Sequence, residues 1–150
     1  MDPFDHKIIT ALQHHGAQTN QQLSDTVGLS PSQISRRRQQ LEEAGILTGY
    51  VARLSPEKLG FGVRAFVHVT LARHSPDNSR RFADLVRRTP EILESHALTG
   101  DADYLLKVVV RNLKDLAALI NETLLPHDSI DRVRSEIVLE TLKESFALPL

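Results

Sequence analysis

The hydrophobic residues of the first 47 positions recur every three or four residues, which is the spacing of amphipathic helices. They form three groups: Phe4, Ile8 and Leu12; Leu23 and Val27; Ile34 and Leu41. Capping residues and glycines lie between the groups. Ser, Thr or Asn can cap the start of a helix and glycine readily follows its end, so these residues mark the helix boundaries. The pattern predicts three helices, which run from Pro3 to His14, from about Asn20 to Gly28, and from Pro31 to Gly45.

The second and third predicted helices are joined closely enough to form a helix-turn-helix. Only Gly28 and Leu29 lie between them before Ser30, the expected N-cap of the third helix. In this motif a small residue precedes the turn glycine by four positions and an apolar residue follows it by six. Ser24 and Ile34 hold those positions. The third helix is then the one expected to enter the major groove of DNA.

The third helix contains three consecutive arginines in the segment PSQISRRRQQL. With Ile34 and Leu41 facing the core at about 100° per residue, Arg36 points away from the core, where base edges would lie. Arg37 and Arg38 flank the apolar stripe and reach sideways to phosphates or to Glu42. Arginine pairs with guanine and glutamine with adenine. The predicted DNA-binding residues are Ser32, Gln33, Ser35, Arg36, Arg37, Arg38, Gln39 and Gln40. A solvated surface helix held by charge pairs is the alternative.

Charge is balanced along the chain, which has 18 basic and 19 acidic side chains and a net charge of −1. Residues 1–50 and 51–150 are each close to neutral. A DNA-binding domain of this kind lacks a broad positive field, so a single copy is expected to bind DNA weakly. We therefore expect a homodimer whose two recognition helices, about 34 Å apart, contact a pseudo-palindromic site in double-stranded DNA.

From residue 61 onward the pattern mixes short strands with two helices. The strand-like segments are VRAFVHVTL, EILESHALT, YLLKVVVR and DRVRSEIVLE, and the helical ones are PDNSRRFADLVRRT and NLKDLAALINETLL. The order βαββαβ favours a ferredoxin-like sheet with both helices on one face. The predicted fold class is α+β: a three-helix helix-turn-helix domain over 1–47, a strand-bearing linker over 48–60, and a ferredoxin-like domain over 61–150.

The first strand of this second domain has two different faces. Ala65, Val67, Val69 and Leu71 form an apolar row, and they alternate with Arg64, Phe66, His68 and Thr70. The apolar row suits the two helices. The other face carries Phe66 and Leu98 among charged residues, and it is either solvated or a wet subunit interface. We favour the interface, since a sheet with helices on one side only leaves the other side bare.

Several classes of function are excluded by the residues that the chain lacks. It has no cysteine, so disulfides, thiol nucleophiles and sulfur-ligated zinc are ruled out. Its seven histidines show no His-x₃-His spacing on a helix, and we predict neither a metal site nor a cofactor. It contains no phosphate-binding glycine loop and no Gly-x-Ser-x-Gly elbow, so we do not expect an enzyme. It also lacks a membrane-spanning run and the apolar stretch of a signal peptide, which predicts a cytoplasmic protein without a membrane partner.

Three longer segments, QLSDTVGLSPSQISRRRQQLEEAGILTGYVARLSPEKLG, LTGDADYLLKVVV and IVLETLKESFALPL, carry a resemblance that covers nearly the whole chain. In this order they resemble the Lrp/AsnC (leucine-responsive, or feast/famine) family of transcriptional regulators. The resemblance implies a DNA-binding domain joined by a linker to an effector domain. It also implies dimers formed through the sheet, assembly into tetramers or octamers, and a response to amino acids.

The resemblance further implies that the effector binds at contacts between subunits, near the segment TGDADY. The effector-binding residues carried over in this way are Thr99, Gly100, Asp101, Asp103 and Tyr104. The chemistry of the segment agrees, because a carboxylate can meet a ligand ammonium and backbone amides near the glycine can receive a ligand carboxylate. A tight hairpin whose Asp side chains bond their own backbone would use the same residues.

The sequence predicts a sequence-specific DNA-binding transcriptional regulator that responds to an amino acid or a related small metabolite bound at subunit contacts. The alternative is a stand-alone small-molecule sensor module that regulates a protein partner through its N-terminal helices. Binding of random duplex DNA that falls steeply with salt distinguishes the two, because counterions displaced from phosphates produce that dependence.

Overall fold

Three helices at the N-terminus form the predicted helix-turn-helix in the computed structural model, which describes residues 1–73 and 75–150. They are α1 (Pro3–His14), α2 (Asn20–Val27) and α3 (Pro31–Glu43). Each helix begins with a capping box, in which the N-cap side chain and the side chain three residues later bond each other's backbone amides. The N-caps are Asp2, Thr19 and Ser30. α3 ends two residues before the predicted Gly45.

The three helices enclose a small apolar core. Its fully buried side chains are Ile8, Leu23 and Ile34, one from each helix, and its other members are Ile9, Leu12, Val27 and Leu41. Burial of Ile34 and Leu41 fixes the rotation of α3 about its axis. Arg36 and Gln40 therefore face solvent, as the spacing predicts, whereas Arg37 and Arg38 are partly buried beside the apolar stripe.

Gly28 makes the turn between α2 and α3 in a conformation that favours glycine. Its φ is 81°, and its amide donates to the Ser24 carbonyl oxygen at 2.9 Å. Because an L side chain is strained at this φ, we expect Gly28→Ala to lower the free energy of unfolding by about 1–2 kcal/mol. Denaturant titration followed by circular dichroism measures the change.

Gly100→Ala is the matched control for this substitution. No heavy atom of the described chain lies within 4 Å of the Cβ that it would add, and the residue is outside the left-handed region. Its free energy of unfolding without ligand is expected to stay within about 0.5 kcal/mol of the wild type. Equal losses in the two variants would contradict the role given to the Gly28 turn.

The second part of the chain forms a four-stranded antiparallel sheet with two helices. Its elements are β1 (Val63–Leu71), α4 (Pro76–Arg88), β2 (Ile92–Ala97), β3 (Tyr104–Val110), α5 (Leu113–Ala118), a π-helical continuation (Leu119–Leu124) and β4 (Ile130–Ile137). The strand order is β2-β3-β1-β4, with every neighbouring pair antiparallel. This order and the βαββαβ sequence of elements confirm the predicted ferredoxin-like domain.

The two faces of β1 differ as predicted. Ala65, Val67, Val69 and Leu71 are buried, and Phe82 of α4 packs among them in the core of this domain. On the opposite face Phe66 remains 38% exposed. One face of the sheet is therefore covered by helices and the other is open in the single chain.

The linker differs from its prediction. All of 48–60 is described, and none of it is a strand; its only regular element is a 3₁₀ turn over Glu57–Leu59. A strand is stable only when a neighbouring backbone satisfies its amides and carbonyls, and over residues 1–73 and 75–150 the sheet consists of β1 to β4. Residues 48–60 therefore form an irregular connection with one 3₁₀ turn and no strand pairing.

The chain divides into two units, Met1–Leu54 with Leu142–Leu150, and Ser55–Thr141. The last nine residues, expected to belong to the second domain, thus contact the first. The Gln13 side chain bonds the Leu148 backbone twice, at 3.1 Å and 2.9 Å, and Arg53 stacks on the Phe146 ring. Over residues 1–73 and 75–150, no helix is long and apolar enough to span a membrane.

Candidate nucleic-acid interface and effector loop

Arg36 lies on the exposed face of α3, opposite the buried Ile34 and Leu41. Within the part of the chain that the structure describes, its guanidinium has no hydrogen bond or ion pair. Ser35 and Gln40 are also exposed beside it. These three side chains therefore keep their donors and acceptors available to an external partner, which is what base recognition requires.

Other polar residues of the predicted interface already have partners on α3. The Gln33 side chain accepts from the Ser30 amide at 3.0 Å as part of the capping box, and Ser32 lies 3.1 Å from the Ser30 hydroxyl. Gln39 donates to Glu43 at 2.8 Å. All three predicted residues are exposed, but contact with DNA would have to compete with these local bonds.

Arg37 is held by the start of α1, and its side chain is largely buried there. Its Nη1 lies 2.7 Å from Asp2 Oδ2 and 2.7 Å from Asp5 Oδ1, and its guanidinium stacks on Phe4 at 5.6 Å. The Asp5 amide, and after it Arg37, holds the pKa of Asp2 below its ordinary value. A lowered carboxyl pKa means that this contact is complete at neutral pH and is lost only in acid, as Asp2 is protonated.

Arg38 is also held inside its own unit. Its Nε donates to the Tyr50 hydroxyl at 3.2 Å, and its Nη1 donates to Asn20 Oδ1 at 2.9 Å and to the Gln18 carbonyl oxygen at 3.3 Å. The Tyr50 hydroxyl in turn donates to Glu42 at 2.9 Å. Of the three consecutive arginines, the structure presents only Arg36 without an intramolecular partner among the described residues.

Four of the five predicted effector residues lie in the loop between β2 and β3, and the fifth, Tyr104, begins β3. Thr99, Gly100 and Asp101 are exposed, and the Asp101 carboxylate makes no bond within the described ranges. The loop is therefore open to a ligand or to another subunit at its tip. Among the described residues, no three His, Asp or Glu side chains converge on a point where a metal ion could bind.

Asp103 and Tyr104 fix this loop to the domain. Asp103 Oδ2 accepts from the Leu71 amide at 2.7 Å, where the pairing of β1 with β4 is irregular. The Tyr104 ring packs on Phe82 with centroids 4.6 Å apart. Both side chains thus hold the base of the loop, whereas its tip remains free.

The open face of the sheet carries charged pairs beside exposed apolar groups. Glu94 accepts from Lys107 at 3.0 Å and lies 3.1 Å from His96, and these neighbours lower the pKa of its carboxyl, Lys107 most strongly. Phe66 and Leu98 stay 38% and 39% exposed. A mixed apolar and charged surface of this kind is typical of subunit interfaces.

Comparison with known proteins agrees with both halves of this architecture. Residues 1–48 match a winged helix-turn-helix DNA-binding model, and residues 64–148 match the Lrp/AsnC ligand binding domain. Leucine-responsive regulatory proteins of Klebsiella pneumoniae and Escherichia coli strain K12 are each 38% identical over 145 residues, which cover 97% of this chain and 88% of theirs.

Solved structures give the same result. A transcriptional regulator from Neisseria meningitidis, determined as an L-Met complex, is 41% identical with a TM-score of 0.96 over 99% of this chain and 96% of that one. An AsnC family transcriptional regulator from Agrobacterium tumefaciens is 35% identical with a TM-score of 0.92 over 99% and 97%. This chain belongs to the Lrp/AsnC family of transcriptional regulators, with an N-terminal helix-turn-helix for DNA and a C-terminal domain for an amino-acid ligand.

Proposed function

We propose that this regulator binds a pseudo-palindromic DNA site as a homodimer and reads base edges with the exposed face of α3, chiefly through Arg36. The proposal rests on one observation. The Arg36 guanidinium has no partner among the described residues, whereas Arg37 and Arg38 are hydrogen-bonded to other side chains of the same unit. Ser32, Gln33, Ser35, Gln39 and Gln40 complete the reading surface. The near-neutral charge of residues 1–50 favours two copies over one, because each contributes few phosphate contacts.

The subunits of this homodimer pack through the open face of the sheet. The exposed Phe66 and Leu98 supply apolar area, and the surrounding charged pairs supply a polar rim. Dimers assemble further into tetramers or octamers, which brings loops 99–104 of different copies to subunit contacts. Sedimentation velocity measures the state of assembly.

The effector is an apolar amino acid, with methionine and leucine as the first candidates. This choice is supported by the L-Met complex of one relative and by the names of the leucine-responsive relatives. Asp101 receives the ligand ammonium, because its carboxylate is exposed and unbonded within the described chain. Asp103 holds the loop through the Leu71 amide, and backbone amides near Gly100 receive the ligand carboxylate.

A thermal-shift screen with the twenty amino acids tests the effector site. A ligand at 100 times its Kd is expected to raise the melting temperature by about 5–10 °C. Asp101→Ala should abolish this shift and leave the melting temperature without ligand unchanged. Asp103→Ala should lower the melting temperature even without ligand, since the buried Leu71 amide then lacks its acceptor, at a cost of about 1–3 kcal/mol. A full ligand shift in Asp101→Ala would contradict the assignment.

A further inference from the structure

Arg38 connects three separate segments of the DNA-binding unit. Its Nη1 reaches the turn between α1 and α2 at the Gln18 carbonyl, and the start of α2 at Asn20, while its Nε reaches Tyr50 after α3. The guanidinium also lies over the Tyr50 ring, 4.9 Å from its centroid. Three of the five N–H groups of a guanidinium are thereby used inside the protein.

Tyr50 closes this set of contacts from the linker side. Its hydroxyl donates to Glu42 of α3, and its ring lies beside Gly16, where an added Cβ would be 3.9 Å from the ring. Partial burial raises the pKa of the Tyr50 hydroxyl above its ordinary value, and the hydrogen bond from Arg38 opposes that rise. The first residues of the linker are therefore fastened to α3 and to the turn before α2. We call Arg38, Tyr50, Glu42, Asn20 and the Gln18 carbonyl the Arg38 clamp.

The geometry of the clamp conflicts with a phosphate-binding role for this arginine. To bind a phosphate, the Arg38 guanidinium would have to leave the Tyr50 ring and break three hydrogen bonds. The Asn20 side chain and the Gln18 carbonyl would then lose the donor that Arg38 supplies. An exposed ion pair stabilises a complex by only about 0.2–1 kcal/mol, and each lost hydrogen bond costs a comparable amount. Three internal hydrogen bonds therefore stabilise Arg38 more than one contact to a phosphate would.

We propose that Arg38 is a positioning residue that fixes the recognition helix to the start of α2 and to the linker, rather than a contact to the DNA backbone. This inference rests on the proposed DNA-binding function. It assigns different roles to neighbouring arginines in SRRRQQ: Arg36 meets the bases, whereas Arg38 holds the helix that presents Arg36. A rigid recognition helix loses less conformational freedom on binding and so binds more tightly.

The salt dependence of DNA binding separates the two roles. Fluorescence anisotropy is measured over a range of salt with a duplex that the wild type enriches from a random pool. If Arg38 positions α3, Arg38→Lys and Arg38→Gln both weaken binding by about tenfold or more, because neither can form the forked contacts. The slope of log K against log salt stays at the wild-type value in both variants. Arg36→Gln is the matched control, because it removes one positive charge from the same helix.

The opposite result overturns the inference. If Arg38 neutralises a phosphate in each subunit, Arg38→Lys retains most of the affinity, and Arg38→Gln makes the slope shallower by about 1.8 in a dimer. Tyr50→Phe provides a milder variant that keeps the ring and all charges. We expect it to weaken binding by about threefold without a change in slope, and unchanged affinity in this variant would also count against the clamp.

A measurement without DNA keeps the clamp testable on its own. The chain has two tyrosines and no tryptophan, so in a Tyr104→Phe background the phenolate absorbance reports Tyr50 alone. Arg38→Gln is expected to raise the pKa of Tyr50 further, because a favourable hydrogen bond and a positive charge are removed. An unchanged titration overturns the clamp. Failure of the wild type to bind any duplex at low salt overturns the proposed function instead.

Discussion

Replacement of Arg36 by alanine is expected to remove the preference of this regulator for its operator over random DNA. A bidentate arginine–guanine pair contributes about 1–3 kcal/mol of discrimination, and a homodimer loses two of them. The expected loss is therefore about 2–6 kcal/mol, or roughly 30-fold to 10⁴-fold in the affinity ratio. Competition between specific and random duplexes at one salt concentration measures that ratio.

The fold of the Arg36 variant is expected to be unchanged, because the side chain is exposed and has no partner within the described chain. Unfolding of the free protein checks this. Arg37→Ala is the informative comparison: it breaks the contacts to Asp2 and Asp5, so it should destabilise the N-terminal unit while preserving the ratio of specific to random binding. An Arg36→Ala protein that prefers the specific duplex over random DNA as strongly as the wild type would refute the proposal that Arg36 reads base edges.

Replacement of Phe82 by alanine is expected to give the largest loss of stability in the ligand-binding domain. The ring is 1% exposed, lies in the core between α4 and the sheet, and contacts Tyr104 at the base of the effector loop. Removal of a buried phenyl ring costs about 3–5 kcal/mol, which is a large part of the stability of a domain of this size. Denaturant unfolding of the intact chain measures the loss.

Leu113→Ala is the control for Phe82→Ala, since its side chain is 58% exposed in the same domain. Its free energy of unfolding is expected to change by no more than about 0.5 kcal/mol. Because Tyr104 loses its aromatic neighbour, Phe82→Ala should also weaken the thermal shift produced by an amino acid. A Phe82→Ala protein as stable as the Leu113→Ala protein would show that the core has been misidentified.

Local sequence signals were sufficient to predict the helices and the faces of the sheet. Capping boxes at Thr19 and Ser30 set where α2 and α3 begin, and the period of Ile34 and Leu41 set which side of α3 is buried. Alternation along β1 separated the buried row from the open face that carries Phe66. These properties depend on residues within a few positions of one another, so a single sequence contains them.

The partners of charged side chains could not be read from the sequence. Arg37 bonds Asp2 and Asp5, more than thirty residues away in the chain, whereas the helical wheel of α3 predicts phosphates or Glu42 as its partners. The sequence analysis assigns Tyr50 no role within the linker, although an aromatic residue soon after an arginine-rich helix is a signal that the two could stack. Such contacts depend on how the helices cross.

The two domain types, the exposed position of Arg36 and the buried rows all follow from periodicity and capping, which act locally. The three-dimensional packing was needed to show that Arg38 is held inside its unit, that the carboxylate of Asp103 accepts from a strand amide, and that the last nine residues return to the first unit. Each of these outcomes depends on groups distant in sequence, whose distances are set by packing of the whole chain.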